Sequence, residues 1–317
     1  MYVVGTIFGT TLSLPMLLGT ADLWPVLILI PLIPVFLLCL ALPFCPNSPR
    51  YLLTKSKNPD SARKLLIWLR GTTNVEKELA NIQYNLEHEV QGCISLSGFF
   101  RSSFLRSTFL LCAAAMISQQ FSGYLCIAFY STSIFNGVGL TQVDAVYATI
   151  GLFAVFLIFS LLSSVLMEKA GRKTLLLGAN LVEILALACL VAFMALSRQG
   201  YFWTQYASVA CVVVFMASYG IGPSPVPWIL PTELFSPDAT ASAMTWTAVT
   251  AWTGSLATTF SFPVVVASAG EYTFLIFIGF LVVSSVFLYF RLPETKGRTV
   301  QEVQSILRRH ELSNCQS

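Results

Sequence analysis

The sequence predicts an all-α protein that crosses a membrane many times, and three observations point to it. The first is composition. Of 317 residues, 56% are hydrophobic and only 10% charged, with mean hydropathy +0.74. Soluble domains carry roughly 25% charge, and so few charges cannot cover a globule of this size. The surrounding medium must be lipid. The second is the recurrence of apolar runs of the length a bilayer core needs, ~20 residues each. The third is the segregation of basic residues to one side of those runs.

Eight runs are expected, near 1–19, 24–44, 107–135, 146–167, 174–196, 202–231, 240–269 and 272–291. The first is rich in Thr and Gly, and its Gly5 and Gly9 stand four apart, a spacing that lets another helix approach closely. Eight runs place both termini on one side. Arg50, Lys55, Lys57, Arg63, Lys64, Arg70, Lys77, Arg101 and Arg106 fall in 45–106; Lys169, Arg172 and Lys173 in the turn after 167; Arg291, Lys296, Arg298, Arg308 and Arg309 at the C-terminal end. Of the 18 basic residues, Arg198 alone lies in a connection on the other side. The basic side is cytoplasmic by the positive-inside rule.

The cytoplasmic segment 45–106 reads as helical. Asn58-Pro59-Asp60 is a cap followed by Pro in the first turn, and Gly71 closes that helix. Thr73-x-x-Glu76 has the form of a capping box for a second helix, with an apolar stripe of Val75, Leu79, Ile82, Leu86 and Val90. Such a stripe packs on the protein's own cytoplasmic side or binds a partner protein. Thr299-x-x-Glu302 caps a helix in the tail.

Several function classes are excluded. A net charge of +3 is too small to suggest nucleic acid. The eight cysteines are scattered, with no C-x-x-C and no Cys/His cluster, so neither a metal site nor a cofactor is expected. No nucleophile–base constellation suggests an enzyme, and no P-loop suggests an ATP-driven pump.

Polar and helix-breaking residues inside the runs mark a solute path. Pro223, Pro225, Pro227 and Pro231 prevent a regular helix over 222–231. In lipid, the carbonyls they free must face protein or a water-filled cavity, and a broken helix at membrane depth is where carriers bind solute. Trp228 follows the break, and its ring could stack on a sugar face or pack in the core. Gln119 and Gln120 interrupt an apolar run; their amides match sugar hydroxyls or bond to a neighbouring helix. Glu183 lies about nine residues into its run, roughly 13 Å deep, where it is a proton-coupling, snorkelling or locally paired carboxyl.

The second run ends in Leu42-Pro43-Phe44-Cys45-Pro46-Asn47-Ser48-Pro49-Arg50 and the last in Leu292-Pro293-Glu294-Thr295-Lys296-Gly297-Arg298. Each is a hydrophobic helix stopping in a Pro-x-Ser/Thr turn followed by Arg, as in carriers built from two parallel repeats. Six runs separate the two marks and two precede the first, so equal halves imply four further spans ahead of Met1. The domains expected are therefore the last two helices of an N-terminal half (1–44), a cytoplasmic helical loop (45–106), a six-helix C-terminal half (107–291) and a cytoplasmic tail (292–317).

With these motifs the chain resembles the sugar porter family of the major facilitator superfamily, above all the animal facilitative glucose transporters. Further stretches carry the likeness: Asp22-Leu23-Trp24-Pro25, Ser118-Gln119-Gln120-Phe121-Ser122-Gly123, Tyr130-Ser131-Thr132-Ser133-Ile134-Phe135, Tyr147-Ala148-Thr149-Ile150-Gly151, Glu168-Lys169-Ala170-Gly171-Arg172-Lys173, Gly222-Pro223-Ser224-Pro225-Val226-Pro227-Trp228 and Thr232-Glu233-Leu234-Phe235-Ser236. The resemblance implies an incomplete major facilitator fold of about eight transmembrane helices, with the first four of twelve absent. It implies substrate contacts at Gln119, Gln120, Trp228 and Trp252, and cytoplasmic gating ion pairs among Arg50, Glu168, Arg172, Lys173, Glu233, Glu294 and Arg298. The implied activity is facilitative uniport of a hexose or related small solute by alternating access, in the plasma membrane, with the lipid bilayer and that solute as partners. The alternative is a non-transporting, truncated or degenerate relative acting as a sensor or binding protein.

The departures concentrate on the sugar. The family's glucose carriers have an amide at the places of Thr10, Met116, Leu125, Phe156 and Ala251, an acid at Gly220, Glu at Asn47 and Arg at Thr240. Poor handling of glucose itself is expected from these substitutions.

Overall fold

The computed structural model describes the chain apart from residues 1, 15, 21, 55–58, 90–93, 138, 198, 200, 202, 316 and 317, and describes backbone alone at 2, 50, 54, 85, 87–89, 97, 205 and 310–315. The described residues form helices and turns. In order they are α1 (Tyr2–Leu12), α2 (Trp24–Leu29), α3 (Leu32–Ala41), α4 (Pro49–Thr54), α5 (Pro59–Arg70), α6 (Glu76–Glu89), α7 (Leu96–Phe99), α8 (Ser103–Gln120), α9 (Tyr124–Gly137), α10 (Gln142–Ala170), α11 (Arg172–Ser197), α12 (Trp203–Ile221), α13 (Val226–Leu234), α14 (Pro237–Ala269), α15 (Thr273–Arg291) and α16 (Val300–Cys315). Asn58, Val90 and Arg198, and the side chain of Arg50, lie outside the described set.

Six described stretches are long and apolar enough to span a bilayer: Trp24–Phe44, Ser103–Gly137, Gln142–Ala170, Arg172–Ser197, Tyr206–Leu234 and Pro237–Arg291. The last contains both α14 and α15, joined by a single 3-10 turn, Gly270–Tyr272. The first expected run is shorter than 1–19. Its helix stops at Leu12, where Thr10, Thr11 and Ser13 turn their hydroxyls back onto the carbonyls of Thr6, Ile7 and Thr10 at 2.8, 2.8 and 2.7 Å. Such bonds compete with helix continuation. Gly5 and Gly9 have nothing within 4 Å of their would-be Cβ positions, so they serve no close helix approach among the described residues.

The chain divides into two compact units. Leu18–Ile94 holds α2 to α6. No residue of α2 or α3 is buried. Below them, Ala62 and Leu66 of α5 pack with Val75 and Leu79, joined by Leu52, Leu53, Ile67 and Ile82. Of the apolar stripe expected on the second helix, Val75, Leu79 and Ile82 are thus covered by the unit's own α4 and α5. The capping box expected at Thr73 does not form. The helix begins at Glu76, two residues later than such a box would place it, and the Glu76 carboxylate accepts from Arg63 Nε at 2.6 Å.

The second unit joins Met1–Leu17 to Ser95–Ser317. Its core runs through α9, α10, α11, α12, α14 and α15, with Val3 of α1 seated in it and α1 lying along α10. Two spans are broken. α8 and α9 meet at Phe121–Gly123, where Gly123 has φ +87°, and a Cβ there would sit 2.7 Å from the Phe277 ring. α12 and α13 meet at Gly222–Pro225. The would-be Cβ of Gly222 lies 2.7 Å from the Leu175 carbonyl oxygen, so only glycine lets α12 approach α11 so closely. The tail helix α16 starts with a true capping box: Thr299 N–H donates to Glu302 at 2.8 Å, and Glu302 N–H to the Thr299 hydroxyl at 3.4 Å.

Candidate functional site

The prolines of the α12–α13 break each remove the N–H that would serve the carbonyl four residues back. Three of those carbonyls find other donors. Tyr219 C=O, orphaned by Pro223, accepts from Ser224 N–H at 2.9 Å. Ile221 C=O, orphaned by Pro225, accepts a short bond from the Ser163 hydroxyl of α10. Pro223 C=O, orphaned by Pro227, accepts from Gln119 Nε2 of α8 at 2.8 Å, and Ser224 C=O takes the same nitrogen at 3.0 Å. In lipid a free carbonyl has no water to turn to, and this explains why polar side chains from two other helices converge here.

The two expected amides therefore differ. Gln119 is 4% exposed, and both its N–H groups are committed to the break. Its Oε1 accepts from Gln120 Nε2 at 3.2 Å, which leaves Gln120 with an oxygen and one N–H to offer. Gln120 also packs against α14, with its Cβ 3.0 Å from the would-be Cβ of Gly254. The two tryptophans are more exposed than Gln119. Trp228 follows the break on α13 with 36% of its surface exposed. Trp252 lies off the buried Thr247, Ala251, Gly254 and Thr258 stripe of α14 and is 70% exposed.

Next to the α8–α9 break the expected departures have become packing. Tyr124 stacks on Tyr219 with ring centroids 3.9 Å apart and planes 3° from parallel. The Phe156 ring meets Tyr124 at 5.6 Å and Tyr219 at 5.7 Å. Phe156, Met116 and Ala251 are buried, and Leu125 packs against the same core. The would-be Cβ of Gly220 lies 3.1 Å from the Phe156 ring.

A second cluster sits at the basic ends of the helices. Glu294 caps the start of α11, accepting from Arg172 N–H at 2.8 Å and Thr174 N–H at 3.4 Å. Gly171, at φ +90°, makes room for it: a Cβ there would lie 2.6 Å from the carboxyl carbon. Arg172 Nε meets Glu233 at 2.9 Å with both side chains about one-fifth exposed, and the Thr295 hydroxyl donates to the other Glu233 oxygen at 2.5 Å. Lys173 Nζ reaches Tyr289 C=O at 2.7 Å and lies 5.3 Å from that residue's ring centre. Glu168 and Arg298 are exposed and do not join the cluster. Thr295 and Ser163 were not singled out from the sequence; a hydroxyl within an apolar run, as at Ser163, is the signal that marks such donors.

Among the described residues no three His, Cys, Asp or Glu side chains gather as metal ligands.

The described residues form helices long and apolar enough to span a bilayer, with two of them broken and clamped together at their breaks. The family described as "Sugar (and other) transporter" matches residues 1–307, and this chain belongs to that sugar transporter family, one of carriers and not of enzymes. It is 35% identical over 305 residues to facilitated glucose transporter member 3 of Canis lupus familiaris, covering 95% of this chain and 60% of that relative. It is 34% identical over 303 residues to member 1 of Gallus gallus, covering 95% and 61%. The chain thus spans about three-fifths of these relatives' length. Its fold matches the inward-open xylose transporter XylE from E. coli with TM-score 0.75 at 20% identity, covering 96% of this chain and 63% of that one. A XylE structure described as a proton:xylose symporter bound to 6-bromo-6-deoxy-D-glucose gives TM-score 0.72 at 22% identity, covering 96% and 64%.

Proposed function

We propose that the protein is a facilitative carrier of a hexose or a related, less polar small solute, working as a uniporter by alternating access in the plasma membrane with both termini cytoplasmic. The observation that carries this reading is the Gln119 amide held at 2.8 Å from the Pro223 carbonyl, which joins two broken helices at membrane depth. Gln120 has hydrogen-bonding capacity left beside that junction and is the first solute contact; Trp228, Trp252 and the remaining acceptor of Gln119 complete the set. The relatives named as glucose transporters support a sugar as the solute. The cytoplasmic gate is the group Arg172, Glu233 and Glu294, with Lys173 beside it and Glu168 and Arg298 available to it in another conformation. Uptake of labelled glucose, xylose and deoxyhexoses into vesicles holding the purified chain tests this. Saturable, competitor-sensitive entry that needs no ATP and no ion gradient is expected; no entry of any of them overturns it.

A second reading is a relative that binds without transporting. It is favoured by Phe156, whose ring packs against the stacked Tyr124 and Tyr219 at a position where the sequence resemblance implies a hydroxyl-binding amide. Sugar-dependent quenching of tryptophan fluorescence without vesicle uptake would select it.

A further inference from the structure

We propose that Glu183 and Asn180 of α11 form a buried site for a monovalent cation, a proton or Na+, in the six-helix half. Glu183 is 0% exposed, and neither of its carboxyl oxygens has a hydrogen-bond partner. Snorkelling and a local ion pair, the two bland readings of this residue, are therefore absent among the described residues. Asn180 stands one turn earlier on the same helix face. It too is 0% exposed, and its Oδ1 has no partner. Three oxygen acceptors thus lie within one helical turn, with no donor supplied to them by the described residues. Hard oxygen ligands of this kind are what a small cation takes, and a carboxylate shut away from water without a counter-charge draws one in.

Among the described residues, the elements around α11 bring no counter-charge close to Glu183. α12 carries only Tyr206, Cys211 and Tyr219 as titratable groups; α15 carries Tyr289 and, at its end, Arg291; α8 carries Arg106 near its start and Cys112. α10 holds Asp144, Tyr147, Glu168 and Lys169 towards its ends, and the 3-10 turn brings Glu271 and Tyr272 to the far end of the bundle. On α11 itself, Lys173 and Arg172 are ten and eleven residues away, roughly 15 and 16 Å along the axis, and Cys189 is six residues further on.

The site is wired to the break. The Asn180 amide donates to the Ser118 hydroxyl at 3.0 Å and to the Ser285 hydroxyl at 2.9 Å, which ties α11 to α8 and α15. Ser118 directly precedes Gln119, whose amide holds the Pro223 and Ser224 carbonyls. A cation drawn between Glu183 and Asn180 Oδ1 fixes the Asn180 side chain and through it the donors that position α8 against α12–α13. Its meaning for transport rests on the carrier reading; its existence does not.

The test is made by binding, so failure of transport leaves it intact. The purified full chain in lipid nanodiscs is examined by infrared spectroscopy for a protonated-carboxyl C=O band at neutral pH, and by thermal unfolding in NaCl against choline chloride. A proton at the site gives a band that Glu183→Gln removes. Na+ gives a Tm rise in NaCl over choline chloride that Glu183→Gln abolishes and Asn180→Ala reduces. If Glu183→Gln fails to fold, the wild-type chain still decides: no Na+-dependent shift, and no carboxyl band that Glu183→Asp moves, overturns the proposal.

Discussion

Gln119 and Pro223 stand 104 residues apart and are joined by a 2.8 Å hydrogen bond, the amide of one serving a carbonyl that the proline chemistry of the other's helix has left bare. A glutamine that looks like a sugar ligand is thus first a structural donor. Gln119→Ala should lower stability by about 1–3 kcal/mol, the cost of leaving a buried acceptor unpaired. Gln120→Ala, with one internal bond to lose, should lower it by less than about 1.5 kcal/mol while reducing solute affinity. Reversible unfolding of the two variants in detergent, alongside sugar titrations, separates the roles.

Gly171 and Glu294 make a second pairing open to test. Gly171→Ala places a Cβ against the Glu294 carboxylate and asks an L-residue to hold φ +90°, a strain of about 1–3 kcal/mol. Glu294→Ala removes the acceptor at the start of α11 and should cost about 0.5–2 kcal/mol, as lost N-caps do. Thermal melts of both are expected to fall, and a double variant should lose less than the sum because the two act on one contact.

Restoring polarity beside the break trades stability for sugar affinity. Millimolar binding corresponds to only about 4 kcal/mol, and each net hydrogen bond supplies about 0.5–1.5 kcal/mol. Leu125→Asn with Phe156→Asn should raise glucose binding and uptake. The loss of the Phe156 ring from Tyr124 and Tyr219 should also destabilise the fold by several kcal/mol, on the scale of about 3–5 for a buried Phe. A fluorescence titration with D-glucose showing no gain would mean that the solute site lies elsewhere.

Acidification should loosen the helices of 59–89 and the start of α16. Glu78 is held below the ordinary carboxyl value of 4.5 chiefly by its hydrogen bond to Arg70, and Glu302 is lowered by the Thr299 backbone N–H it accepts. A carboxyl lowered in the folded state adds stability above its unfolded value and loses it as pH falls through the folded one. Protection from hydrogen exchange, measured against the unstructured rate at each pH, should therefore be unchanged in α5, α6 and the first turn of α16 between pH 7 and 5, and should fall below 4.5.

The 17 basic residues on one side of the spans predict that tags at either terminus, or within 60–90, are shielded in intact cells. Labelling of a 60–90 tag from outside would reverse the orientation.

Much of this architecture is written in local chemistry. Apolar run length and the Pro223, Pro225 and Pro227 spacing carry the spans and the break, since bilayer thickness and missing N–H groups act on each segment alone. The donors that answer those prolines do not show. Ser163 and Gln119 lie 58 and 104 residues from their acceptors, and no local pattern encodes which polar residue reaches which carbonyl. Trp252 could have been placed outward from helical phase, because the small residues Thr247, Ala251, Gly254 and Thr258 mark the opposite, buried face of α14. At Thr73 the box does not form, and the Glu76 carboxylate is engaged by Arg63, thirteen residues away.

The answered carbonyls also have a mechanical meaning. Prolines in a helix usually create a swivel, yet here Ser163 pins the break to α10 while Gln119 pins it to α8. Swinging α13 away from α12 at the break would strain both bonds, inside a medium that offers no replacement donors. The kink is thus held like a rivet, with α8 and α10 fastened to either side of it.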